Sequence, residues 1–314
     1  MKIVIQKIMA MIVTLLAVSF LVFLSFQVIS GDPAVSMLGT QATEEKVEQL
    51  REEMGLNDPL LEQYGSWLSG FVQGDMGTSY SYQTSVTEIV LDKLPITIVL
   101  TVLSFLVIIV LALPIGIYCA KHEESKVDRA IYIINQIIMA VPPFFSGIII
   151  TLLFGLTFRL FTPGGYVSYQ TDMIGFLSYL IFPAIAIALP KAAMAIKLLR
   201  SSLLNEKKKE YVRTAYSRGN SSKEVFNRHV LKNAIIPVIT FLGMALADII
   251  AGSIIIEQVF SIPGIGRILL TAISSRDYPI VQAIIVCMAG FILTINLVVD
   301  FTYRWVDPRI QDEN

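Results

Sequence analysis

Asp248 sits near the middle of the apolar stretch 234–256. A charge at that depth is costly in lipid, so by default it faces a wet pathway or pairs with a cation. Its candidate partners are a cationic group on such a pathway or Lys191 in the preceding apolar stretch 175–199. A group on a pathway and a structural Asp–Lys pair between helices are equally open readings. Asp248 and Asp300 could also form the carboxylate pair of an intramembrane aspartyl protease. That chemistry needs both carboxylates facing each other at one depth. Asp300 falls near the inner end of the last apolar stretch, and neither residue stands in a Gly-Asp or Tyr-Asp context. His122 and His229 are far apart, and Cys119 and Cys287 lie in apolar runs, so no metal-ligand spacing appears. Met139, Met244 and Met288 read as apolar packing residues. The chain lacks a Gly-x-x-x-x-Gly-Lys-Ser/Thr loop, so it is not expected to bind ATP. No catalytic residue is assigned.

The elements carrying these residues follow from composition. The 314 residues are 54% hydrophobic and 16% charged, with mean hydropathy +0.68. Soluble domains carry roughly 25% charged residues, so the bilayer is the expected solvent. Two cysteines exclude a disulfide scaffold, the aliphatic content excludes disorder, and a net charge of −1 argues against nucleic acid. A spanning helix needs about 20 apolar residues. Six stretches qualify: 8–29, 96–120, 130–161 (broken by Pro142-Pro143), 175–199, 234–256 and 280–301. The first follows Lys2 and Lys7, but it is too long for a signal-peptide core and lacks a cleavage site. The expectation is an all-α polytopic membrane protein of about six helices. It divides into a first helix (1–30), an outer loop (31–95) and a core of five helices (96–310).

Charge orients it. One set of connections holds sixteen basic residues, nine of them between Arg200 and Lys232, and the opposite set holds six. The richer side is cytoplasmic by the positive-inside rule, which places both termini inside. The outer loop has eleven acidic and three basic residues. Within it, 43–54 reads as an amphipathic helix with Val47, Leu50 and Met54 on one face and Gly55 past its end. Asp58-Pro59 reads as an N-cap with proline at the first helical position. Tyr64, Trp67 and Phe71 follow at helical spacing.

Segment 200–233 is the most polar on the inner side. It predicts two short helices flanking Gly219, the first ending near Arg218 and the second capped by Ser221 or Ser222. A random basic loop would satisfy charge orientation alone. A helix–Gly–helix with Tyr211, Val212, Ala215 and Tyr216 at set places suits insertion into a partner's groove. Pro263 between Gly264 and Gly266 and the fifth span suggests a tight non-helical turn. Backbone of that kind belongs where protein or a wet cavity surrounds it. Segment 257–278 therefore reads as a re-entrant gate, or as a loop holding helix ends. Lys197 and Arg200 read as snorkelling to the inner surface. Asp300, Tyr303, Arg304 and Asp307 read as interfacial anchors.

These residues resemble a known family. Tyr211 to Gly219 is similar to the cytoplasmic loop of bacterial binding-protein-dependent ABC importer permeases. The triplet Arg213-Thr214-Ala215 and the run Arg228 to Pro237 resemble the dipeptide/oligopeptide/nickel branch. In order along the chain come Gly31-Asp32-Pro33-Ala34, Gly55 to Leu60, Gly74 to Ser79, Glu257 to Gly266, Arg276-Asp277-Tyr278-Pro279 and Asp307-Pro308-Arg309. The resemblance covers about 1–310 and is nearest to the first permease subunit.

The resemblance implies a type I ABC importer permease fold in the bacterial inner membrane. It implies half of a translocation path for peptides, with nickel or a metal chelate as the alternative cargo. It also implies partners: a second permease subunit, one or two cytoplasmic ATPases that carry ATP and Mg, and an extracytoplasmic binding protein. Glu210, Tyr211, Arg213, Thr214, Ala215, Arg218 and Gly219 would meet the ATPase. Asp248, Glu257, Phe260, Pro263, Gly264 and Gly266 would form the path or its gate.

Overall fold

Long apolar runs fold as helices because, away from water, a backbone amide finds a partner only within its own segment. The computed structural model describes residues 2–28, 33–38, 42–53 and 55–306. In chain order the helices are α1 (Lys2–Val28), α2 (Pro33–Leu38), α3 (Glu44–Glu53), α4 (Leu60–Val72), α5 (Val86–Lys121), α6 (Lys126–Ala140) and α7 (Pro143–Ile150). Then come α8 (Met173–Lys207), α9 (Glu210–Ser217), α10 (Ser222–Glu224), α11 (Leu231–Ala234), α12 (Ile236–Val259), α13 (Ile265–Ser274) and α14 (Tyr278–Val306). The segments 151–157 and 225–230 continue α7 and α10 as wider π turns. Among the described residues the extended pairing is one isolated bridge, Thr78 to Ser85.

Among the described residues five helices, α1, α5, α8, α12 and α14, are long and apolar enough to cross a membrane. The sixth expected span is a pair: α6 and the helix that starts at Pro143 meet at 107°. The stretch was read as broken at Pro142-Pro143, and the size of the break has a local cause. Val141 and Pro142 both precede a proline and both adopt extended ψ, 122° and 145°. The proline ring excludes the helical conformation for the residue before it, so the chain leaves the helix for two residues.

Residues Gly31, Asp32, Met54, Asp307, Pro308 and Arg309, and the side chains of Tyr303 and Arg304, lie outside what the structure describes. The roles read for them go no further.

The chain divides into two compact units. The first draws on 1–96 and 263–294. There α4 lays its aromatic face on α1: the Tyr64 ring is 5.1 Å from Phe20 and 5.5 Å from Phe23, and its hydroxyl is 2.8 Å from Ser19 Oγ. Trp67 and Phe71 extend the stack. Gly55 takes φ +65° past the end of α3, as its place after an amphipathic helix predicts. Asp58 is displaced from its expected role. Pro59 is the N-cap of α4 and its carbonyl accepts from Glu62 and Gln63, one residue later than expected.

The second unit draws on 97–262 and 295–314. Its centre is α8, against which α6, α7 and α12 pack. Ala184, Ala186, Ala188, Ala192, Ala193 and Ala195 are all buried along α8. Small side chains let helix backbones approach closely where no hydrophobic effect drives them together. Gly116 of α5 serves the same end: a Cβ there would lie 2.9 Å from Leu199 Cδ2.

Candidate functional site

The segment after α8 is a built hairpin. α8 runs on to Lys207, so its last two turns belong to what the sequence placed in the loop. Helix α9 ends at Ser217, Arg218 caps it, and Gly219 takes φ +83°. A side chain would strain that conformation, which explains glycine here. Asn220 Nδ2 donates to the Ala215 carbonyl at 3.0 Å and so satisfies an end of α9. Ser221 begins α10 with a capping box: it accepts from the Glu224 amide, and Glu224 accepts from the Ser221 amide, both at 3.3 Å.

The hairpin has two distinct faces. Val212, Ala215, Val225, Phe226 and Val230 are buried together with Leu199, Leu203 and Ala120. Glu210, Arg213, Thr214, Tyr216 and Arg218 are exposed. The methyl of Ala215, a residue read as meeting a partner, is turned into the chain's own core. Arg213 and Glu210 pair at 3.1 Å on the exposed side, where such pairs add little stability.

Polar groups bind the hairpin to α8. Tyr211 donates to Glu206 Oε1 at 2.7 Å, and Asn233 Nδ2 reaches both the Tyr211 hydroxyl and the His229 carbonyl at 3.0 Å. Burial pushes the Tyr211 phenol up, and the neighbouring Glu206 carboxylate adds to the rise. Lys209 pairs with Glu206 at 2.7 Å. Lys121 lies 4.6 Å over the Phe226 ring, and Lys207 donates to the Ala120 carbonyl at the end of α5. Glu206 carried no local signal. Asn233 did: it lies inside the Arg228–Pro237 run that marks the peptide branch.

The two intramembrane charges meet. Lys191 Nζ of α8 donates to Asp248 Oδ2 of α12 at 2.7 Å. The Asp248 side chain is 65% exposed, against 24% for Lys191. The partner of Asp248 is thus an ammonium, whereas a protease dyad needs a second carboxylate.

Arg200, read as snorkelling to the inner surface, is held by a carboxylate. Its Nε and Nη2 close on the two oxygens of Asp128 at 2.6 Å each, joining α8 to the start of α6. Asp128 is 2% exposed and also accepts from the Glu124 amide at 3.1 Å.

The residues read as a gate divide between the two units. In the second unit Glu257 is fully buried and accepts from Thr97 Oγ1 at 2.6 Å. Phe260 is buried against Phe161, and its carbonyl accepts from Tyr179 at 2.6 Å. The left-handed residue of the turn is Ser261, at φ +57°, and not a glycine. In the first unit Gly264 is extended and opens α13, Gly266 is buried in its first turn, and Pro263 is half-buried. The non-helical turn read at Pro263 occupies 260–264, and α13 fills the segment that follows it.

In the first unit, two motifs that sequence reasoning left without roles meet each other. The buried Asp277 carboxylate accepts from Ser79 Oγ at 2.5 Å and from the amides of Tyr80 at 3.2 Å and Ser81 at 2.9 Å. It thereby ties the outer loop to the start of α14. Among the described residues, no three His, Cys, Asp or Glu side chains gather as a metal site.

Residues 112–312 match the family described as binding-protein-dependent transport system inner membrane component, and 1–101 match the family of its N-terminal part. The chain belongs to this family of importer permeases. It is similar to a probable peptide ABC transporter permease of Sinorhizobium fredii, 34% identical over 308 residues and 98% of each chain. It is also similar to the oligopeptide transport system permease AppB of Bacillus subtilis, 34% identical over 311 residues and 98% of each chain. Against the nickel import system permease NikB of Staphylococcus aureus it is 32% identical over 311 residues, covering 98% of this chain and 91% of that one. The resemblance read from the motifs holds over nearly the whole length. An importer permease of this family is a helical, multi-pass membrane component of a larger assembly, and the named relatives are transport proteins, not enzymes.

Proposed function

We propose that this permease forms half of a translocation path for peptides, paired with a second permease subunit, and is driven by one or two cytoplasmic ATPases seated on the 200–233 hairpin. An extracytoplasmic binding protein delivers the cargo, and both termini lie in the cytoplasm. The observation carrying this reading is the two-faced hairpin. Its apolar side is fixed to α5 and α8, and its exposed side offers Arg213, Thr214, Tyr216 and Arg218 around Gly219. ATP-driven closure of the ATPases would move the hairpin, and with it α8 and the helices packed on it. Such coupling requires that nucleotide bind two conformations of the assembly with different affinity.

Peptide cargo is favoured by the similarity to peptide permeases. Nickel or a metal chelate is the second reading, supported by the similarity to a nickel permease. The test is co-purification of ATPase subunits with an Arg213→Glu, Tyr216→Ala variant, with ATP-driven uptake of labelled dialanine into proteoliposomes alongside. Loss of both activities with the variant still folded is expected. ATPases retained at wild-type stoichiometry would overturn the hairpin's role.

A further inference from the structure

Asp248 is 12 residues after the start of α12 and 11 before its end, and Lys191 is 18 after the start of α8 and 16 before its end. At about 1.5 Å per residue, Asp248 is roughly 17–18 Å of helix from either terminus. A short carboxylate side chain cannot reach water across that distance by snorkelling. Yet it is largely exposed, and so are Met244, Ala251 and Ile255 on the same stripe of α12. A lipid-facing charge at mid-depth is disfavoured, so this stripe faces a water-filled cavity or a protein surface. Oδ2 is engaged by Lys191, while Oδ1 has no hydrogen bond among the described residues. A Cβ added at Gly252, one turn along, would meet nothing within 4 Å.

We propose that Asp248 is a binding point on the transport path for a primary ammonium group of the cargo, such as a peptide amino terminus, and that Lys191 is its counter-ion when the path is empty. The proposal rests on the permease reading above. The pair is itself the template: a primary ammonium already sits 2.7 Å from Oδ2, and the cargo's ammonium would replace like with like or add at Oδ1. With its counter-ion in place the pair carries no net charge. The empty path is thus left without an uncompensated buried charge. A multivalent metal ion, which needs several anionic or imidazole ligands, is poorly matched by one carboxylate beside a lysine.

The test uses the full importer in proteoliposomes, with Cys119 and Cys287 replaced by Ala and Ala251→Cys as reporter. A membrane-impermeant cationic methanethiosulfonate should label the reporter. Dialanine should slow labelling about tenfold, the scale set by one charge-assisted hydrogen bond, and N-acetyl-dialanine should not. Asp248→Asn should abolish the protection. No labelling would overturn the proposal in favour of a stripe covered by lipid or by a neighbouring subunit. Equal protection by both dipeptides, or protection that survives Asp248→Asn, would overturn the ammonium assignment. The exchanged pair Lys191→Asp with Asp248→Lys should assemble but transport poorly, and wild-type uptake by it would reduce the pair to packing. Failure of the permease reading is seen separately, as ATPases that never co-purify with the wild-type chain.

Discussion

Arg200 grips Asp128 with two nitrogens, 2.6 Å from each carboxylate oxygen, across 72 residues of sequence. The carboxylate is 2% exposed and the guanidinium about a quarter exposed. Removing one member therefore strands a charge. Asp128→Ala should destabilise the permease by about 2–4 kcal/mol, somewhat less than the loss of a fully buried pair. Arg200→Lys should recover little, because an ammonium cannot make the two-pronged contact. Thermal unfolding of the detergent-solubilised complex measures both.

Gly219→Val should cost about 1–2 kcal/mol, because φ +83° is strained for a β-branched side chain. Gly219→Asn should cost least among the side chains, since asparagine tolerates the left-handed region. Space is not the issue, because nothing lies within 4 Å of a Cβ there. Proteolytic nicking of the hairpin in the folded complex reads the difference.

Ala215→Leu and Tyr216→Ala should separate structure from docking. The first overfills the core under α9, at about 1–3 kcal/mol of stability. The second removes an exposed ring and should leave the melting temperature unchanged while weakening ATPase recruitment. Equal loss of stability in the two variants would refute this division of faces.

Asp277→Ala should release the outer loop. Two amides and a hydroxyl lose their shared acceptor, at about 1–3 kcal/mol for a buried donor left unsatisfied. Faster hydrogen exchange at Tyr80 and Ser81, with the hairpin unaffected, is the expected signature.

Tyr211 supplies a pH dependence. Its folded-state pKa is raised, by burial first. The stability it contributes is full below its unfolded value of about 10 and is lost as pH rises through the folded one. Hairpin proteolysis should therefore rise more steeply above pH 10 in the wild type than in Tyr211→Phe.

What could be read beforehand was local. Apolar runs marked the spans, and Gly219 and Ser221 marked where α9 ends and α10 begins, because caps depend on neighbours a few residues away. Arg200 with Asp128, and Ser79 with Asp277, are 72 and 198 residues apart and leave no local trace. The right-angle break at Pro142-Pro143 was underestimated, because two consecutive prolines remove two helical residues where one would only kink. At the turn after α12, a serine took the left-handed position, so the nearby glycines pointed to the right place for the wrong reason.

The underside of the hairpin is packed on α8 by this chain's own residues. A protein that seats on it meets a finished shape and orders nothing in this chain as it binds. The entropy of folding a loop is thus absent from the encounter. If the proposed ATPase seats there, its recruitment should not wait on the folding of this segment.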